Sequence, residues 1–281
     1  MKKKPHLSTV LGCMLAAVLA VTLAACGGSP SPSGSSAQEP DTSTTDDYAL
    51  VEDGKLTMLS NFYFPPFVSM SAENGGDFEG FDVDVYKAVC DKLGLEPNIL
   101  PSVQFDTIVP TIKQGGKADV SIGAVTITDE RLEEVDMTDP YMDSNQAIVV
   151  KKGATATDVD TLNVAGTQVA VQSGTTGESW VKENLPNATC VPLDDIIQCL
   201  TGLQSGLYNA VVCDLPVAQY EIKIAYSDLE VTSEIPTGEQ YGIVVSKDNP
   251  GLTEKINQAL KDLEDDGTMD QLEQKWFGTT L

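Results

Sequence analysis

The chain has 281 residues, of which 41% are apolar and 21% charged, enough for a sizeable core and one or two domains. Lys and Arg number 17 against 42 Asp and Glu, a formal net charge of −25. A surface this acidic repels phosphate backbones and anionic headgroups, which excludes nucleic-acid binding and electrostatic membrane attachment.

Residues 1–8 are short and basic, and 9–25 are rich in Leu, Ala and Val, the pattern of a secretory signal peptide. The stretch ends in Leu23-Ala24-Ala25-Cys26, which resembles the bacterial lipobox, in which Cys26 receives a diacylglycerol and becomes the new N-terminus. Val10-Leu11-Gly12-Cys13 imitates it less well, because too little apolar sequence precedes Cys13. The tract 27–47 is Gly, Ser, Pro, Thr and acid, and it lacks the apolar surface to fold. Residues 26–50 therefore read as a tether with an r.m.s. span of about 25 Å. No later segment approaches the roughly 20 apolar residues of a membrane-spanning helix.

Two scarcities constrain the chemistry. The one His, His6, lies in the expected leader, so the processed chain has no Ser-His-Asp or Cys-His nucleophile system and no His zinc ligand. The one Arg is Arg131, which marks a position where a planar, two-pronged cation is wanted or which composition bias merely spared. Cys90, Cys190, Cys199 and Cys213 fit no metal spacing and read as small buried residues, with a Cys190–Cys199 bridge left open.

From Val51 onward short apolar strands alternate with amphipathic helices. The pattern predicts strand 55–59, helix 81–93, strand 97–100, helix 105–113 and strand 119–123. It then repeats as strand 168–172, helix 178–184, strand 189–192, helix 194–203, strand 210–213 and helix 217–225. Strand 242–246, helix 252–263 and a helical tail to Trp276 close the chain. Such alternation argues for parallel sheets flanked by helices, in two α/β blocks. Ligands of these sheets sit beyond the carboxyl ends of strands, so the residues that follow each strand are the candidates.

After the first strand comes an aromatic run, 61–67, of which one or two rings can face a cleft. After 120–122 come Thr126 and Arg131, which fit a carboxylate, although Thr128 as N-cap with Arg131 at the third helical position is an alternative. After 169–171 comes Gln172-Ser173-Gly174-Thr175-Thr176, a hydroxyl-rich turn opening a helix, without the Lys of a nucleotide phosphate loop. After 210–213 comes Asp214, placed either to cap a helix or to take an ammonium group. Together these groups form a receptor for a zwitterion.

The run Gly80-Phe81-Asp82-Val83-Asp84-Val85-Tyr86-Lys87-Ala88-Val89-Cys90 resembles the signature of the family-3 extracellular solute-binding proteins. Thr126 to Arg131, Asp139-Pro140-Tyr141, Gln172 to Thr175, Asp214-Leu215-Pro216 and Trp276-Phe277-Gly278 are similar to its later blocks, in order. The resemblance implies a two-lobed periplasmic-binding-protein-like α/β fold, each lobe a mixed sheet flanked by helices. Lobe 1 would be 51–145 plus 242–281 and lobe 2 146–241, joined by hinge strands at 146–150 and about 238–242. It implies that Arg131 and Thr126 hold a ligand α-carboxylate, with backbone N–H groups at Thr175 or Thr176 closing on it. Asp214 would take the α-ammonium, and Phe64 and Phe105 would sandwich the side chain. By the same resemblance Asn61 stands where receptors for cationic amino acids tend to have an acid, Ala124 stands where Gly or Ser is common, and Gln172 and Cys213 occupy variable pocket positions. With no spare cation visible for an acidic side chain, these point to a neutral or polar amino acid such as glutamine. The implied protein is a monomer that is no enzyme and needs no cofactor or metal. It would be lipid-anchored outside the cell membrane or in the periplasm, serving an ABC permease and its ATPase subunits with a free L-amino acid. The alternative on the same fold is a cleft enzyme such as a prephenate- or arogenate-type dehydratase.

Cys26→Ala is expected to abolish lipid attachment while leaving the folded body intact, because the tether separates the two. Fractionation after a salt wash checks it, and retention of the variant in the membrane fraction would contradict the lipobox reading.

Overall fold

A computed structural model describes residues 48–71 and 76–280; the leader, Cys26 and most of the tether lie outside them. The order begins with β1 (Lys55–Leu59), a meander of β2 (Tyr63–Phe64), β3 (Val68–Met70) and β4 (Phe78–Glu79), and helix α1 (Phe81–Leu93). It continues through β5 (Glu96–Ile99), a 3-10 turn (Phe105–Thr107) running into α2 (Ile108–Gln114), β6 (Val120–Ser121), α3 (Asp129–Glu134) and β7 (Asp136–Met137). Next come β8 (Met142–Lys151), α4 (Val159–Leu162), β9 (Gln168–Gln172), α5 (Thr176–Asn184) and β10 (Thr189–Leu193). They are followed by α6 (Ile196–Gln204), β11 (Ala210–Asp214), α7 (Leu215–Ile224) and β12 (Leu229–Tyr241). The chain closes with β13 (Val244–Val245), α8 (Pro250–Asp265) and α9 (Thr268–Phe277).

These elements build two five-stranded sheets, ordered β5-β1-β6-β13-β7 and β10-β9-β11-β8-β12. The alternation had argued for parallel sheets. The pairs β5-β1-β6 and β10-β9-β11 are parallel, whereas β13, β7, β8 and β12 run antiparallel to their neighbours. Each sheet is therefore mixed, with its antiparallel strands gathered on one side. The expected strand 119–123 shrinks to two residues, since Gly123 and Ala124 turn away with φ of 159° and 51°.

Helix faces follow the apolar spacing. Leu252, Ile256, Leu260 and Leu263 of α8 are all buried, as their register requires. In α1, Phe81, Val85 and Val89 are buried together with Asp82. The largest cluster of buried apolar side chains continues from Leu56, Met58 and Phe81 of the first sheet region to Ala147, Val149 and Leu200 of the second. Of the four cysteines in the described residues, Cys90, Cys199 and Cys213 are buried and Cys190 is half-buried; all are free thiols.

Gly80 starts α1 with φ 140°, and a Cβ there would stand 2.0 Å from the Phe67 carbonyl oxygen. Neither the backbone angle nor the neighbouring backbone can accommodate it. Gly80→Ala is expected to cost at least about 1–3 kcal/mol of stability from the backbone alone. At about 2–4 °C per kcal/mol for a domain of this size, calorimetry should show a clear fall in Tm.

Candidate functional site

The segments that follow β1, β5, β6 and β9 converge with the last residue of β11. Phe64, Phe105, Ala124, Thr126, Arg131, Thr175, Thr176 and Asp214 line one small, nearly closed space of about 10 Å³. Eight of the ten expected ligand-contacting residues are thus brought together. The other two, Asn61 and Gln172, meet each other: Gln172 Nε2 donates to Asn61 Oδ1 at 3.1 Å, and Asn61 Nδ2 donates to the Val103 carbonyl at 2.8 Å. A wider mouth of about 380 Å³ opens beside Phe105, Arg131, Thr175 and Thr176.

Arg131 takes the third helical position, and its guanidinium lines the cleft. Its backbone N–H donates to Thr128 Oγ1 at 3.2 Å, so Thr128 caps α3. That bond uses no side-chain atom of Arg131. The guanidinium donates to the Thr126 carbonyl on its own side at 2.6 Å and, across the cleft, to the Gly174 carbonyl at 3.1 Å. It also lies over the Phe105 ring, 5.4 Å from its centroid. Burial works against its charge, and Asp214, Glu239 and Glu130 offset that effect.

Gly174 lets the lobes approach. Its φ is 77°, and a Cβ there would come within 2.8 Å of Asp106 Cβ in the opposing lobe. Thr175 then caps α5, accepting from the Glu178 N–H at 3.2 Å. Ala124, the one non-glycine residue with positive φ among the described residues, is held by its N–H, which donates to Asp82 Oδ2 at 2.7 Å. The same oxygen accepts from the Tyr141 hydroxyl at 2.9 Å. A buried carboxylate in the first turn of α1 thus fixes the strained residue that lines the site.

Asp214 ends β11 and is 4% exposed, enclosed by donors. Gln146 Nε2 donates to its Oδ1 at 2.8 Å, and the Tyr241 hydroxyl donates to its Oδ2 in a short hydrogen bond. It does not cap α7 with its side chain. Sequence reasoning missed Gln146, Tyr241, Asp82 and Glu239. Their roles come from strands β8 and β12 and from the buried start of α1; the signature run includes Asp82 and the expected hinge strands include the other three, but neither marks their contacts. Among the described residues no group of acids and thiols could hold a metal ion. A larger groove, of about 720 Å³, lies outside the cleft between α7, the end of α9 and β12.

Burial pushes the Asp214 carboxyl up to about 7, with the Glu239 charge adding to it; Tyr241, Gln146 and Arg131 pull it partly back. Asp82, also raised by burial, reaches about 7 against the opposing Ala124 N–H and Tyr141 hydroxyl. An unfolded carboxyl titrates near 4. Between about 4 and about 7 the folded chain therefore holds protons that the unfolded chain has released, and stability falls as pH rises through that window. Asp214→Asn removes one of these titrations, so the slope of unfolding free energy against pH between 4 and 7 is expected to flatten. Urea melts across that range measure it, and an unchanged slope would show that Asp214 is ionised throughout.

Residues 56–279 match the bacterial extracellular solute-binding proteins, family 3. The chain is 30% identical over 265 residues to the ABC transporter glutamine-binding protein GlnH of Bacillus subtilis, covering 94% of this chain and 95% of that protein. It is 31% identical over 219 residues to the ABC transporter arginine-binding protein 1 of Escherichia coli, covering 76% and 87%. Among solved structures, an ancestral arginine-binding protein bound to glutamine superposes with a TM-score of 0.75 at 39% identity, covering 81% of this chain and 99% of that one. The chain belongs to the bacterial extracellular solute-binding proteins, family 3.

Proposed function

We propose that the chain captures a free amino acid between its lobes and delivers it to an ABC permease. The observation that carries this reading is the convergence of opposite charges on one small space. The Arg131 fork and the Thr126 hydroxyl from one lobe, and Thr176 from the other, stand opposite the Asp214 carboxylate. A zwitterion satisfies both ends at once: its carboxylate meets the fork and hydroxyls, and its ammonium meets Asp214. Phe64 and Phe105 supply apolar walls. Arg131 is the single guanidinium, so no second one is available to an acidic side chain. These features favour a neutral or polar ligand, glutamine first among them. Membership of the family favours binding over the dehydratase alternative.

Closure about β8 and β12 would let a ligand touch both lobes, the differential affinity that a ligand-driven shift requires. Cys26 would carry the lipid and 27–47 the tether, holding a monomer beside its permease and ATPase subunits on the outer side of the membrane.

A thermal-shift screen against the twenty amino acids tests the reading, since a ligand that binds only the folded state raises its stability by mass action. Arg131→Lys sharpens it. Lys keeps the charge and the backbone cap but loses the two-pronged geometry. Affinity is expected to fall by about 2–5 kcal/mol, the range for breaking a buried hydrogen-bonded charge pair. Calorimetry showing wild-type affinity in Arg131→Lys, with a lowered Tm for the empty protein, would make Arg131 a structural residue.

A further inference from the structure

Glu239 stands in the hinge, and its carboxylate does what the proposed ligand carboxylate would do. Its Oε2 accepts from the Thr126 hydroxyl at 3.1 Å, from the Thr176 hydroxyl at 3.0 Å and from Gln146 Nε2 at 3.0 Å. Thr126 follows β6 in the first sheet, and Thr176 opens α5 on the second. One side-chain oxygen therefore joins the two lobes through two of the groups that line the cleft. Hydrogen bonds to an ionised acceptor are roughly twice as strong as neutral ones.

The backbone places Glu239 there by an irregularity. Along the β8–β12 ladder Ile235 faces Gln146, but the next paired residue of β12, Glu239, faces Ser144. Four steps on β12 thus match two on β8. The surplus forms a bulge at Pro236, Thr237 and Gly238, with Gly238 at φ 63°. The Gly238 N–H donates to Asn145 Oδ1 at 3.0 Å, which ties the bulge to β8. Bulges of this kind re-aim a side chain beside a functional site. After it, Glu239 and Tyr241 share one face of the strand, and Tyr241 reaches Asp214 while Glu239 reaches the hydroxyls.

Glu239 also lines the outer groove of about 720 Å³.

We propose that Glu239 is a built-in substitute for the ligand carboxylate. It closes the empty cleft by bridging Thr126 and Thr176 and is exchanged for the carboxylate of the incoming ligand, which makes it a determinant of affinity and of the requirement for a carboxylate. The proposal rests on the amino-acid reading of the cleft for the exchange step alone. The bridging of the empty lobes stands without it. A contact that stabilises an empty closed state lowers apparent affinity, because the competent state is populated less.

The test compares the full chain with Glu239→Ala and with Glu239→Gln, which keeps the shape and removes the charge. Small-angle scattering of the empty proteins is expected to give a larger radius of gyration for Glu239→Ala than for wild type, with Glu239→Gln between them. At saturating L-glutamine the three should converge on one compact value. Calorimetry with L-glutamine should show Glu239→Ala binding about fivefold tighter or more, as the competing contact is lost. An empty Glu239→Ala protein as compact as wild type overturns the proposal, and so does weaker L-glutamine binding by that variant, which would make Glu239 a ligand contact. If wild type gives no heat with L-glutamine, the choice of ligand fails while the scattering comparison still decides whether Glu239 bridges the lobes.

Discussion

A carboxylate kept out of water needs donors on every side, and that requirement at Asp214 organises the cleft. Asp214 is the last residue of β11, in register with Gln146 of β8. The Gln146 amide and the Tyr241 hydroxyl, one from each hinge strand, serve its two oxygens. A residue that ends a buried central strand is thereby fastened to both segments about which the lobes would turn. Asp214 and the two strands that connect the sheets are one hydrogen-bonded unit, so any rotation of β8 or β12 alters the donors around Asp214.

Much of the fold was legible because burial and punctuation coincide. The strands Lys55–Leu59 and Gln168–Gln172 and the helix Phe81–Leu93 lie where apolar spacing put them, bounded by glycine or polar turns. Apolar spacing left β12 unmarked for the opposite reason, and only its end, at about 238–242, was expected from the family resemblance. Residues 229–241 are largely polar, carry Pro236 and Gly238, and sit at the edge of the sheet. They become a strand because nine residues of β8 pair with them, a tertiary cause that no local pattern records. Asp82 was hidden similarly. It reads as an acidic first-turn residue of α1, yet it is buried and holds Ala124 through a contact 42 positions away.

The candidate site followed the same division. Residues at strand exits were found, since parallel strands direct their carboxyl ends toward one edge and the following loops must meet there. Residues on the antiparallel return strands, Gln146, Glu239 and Tyr241, were not. Arg131 shows how one position satisfies two demands without compromise. Capping occupies its backbone N–H and bridging occupies its guanidinium, so evidence for the first never counted against the second.

The surplus of acid has a consequence inside the cleft as well as outside it. Asp214 and Glu239 share the interior with one cation, Arg131, whose guanidinium is hydrogen-bonded to two carbonyl oxygens and to neither carboxylate. Thr126, Thr176 and Gln146 supply the donors that Glu239 would otherwise take from the Arg. Neutral donors are a weaker claim on a carboxylate than an ion pair and are more readily given up. A cleft that must release its own anion to admit another is better served by hydroxyls and an amide than by a salt bridge. The distribution of polar groups here meets that condition: the fork stays uncommitted to any acid of the chain, and the resident acid rests on partners it can leave.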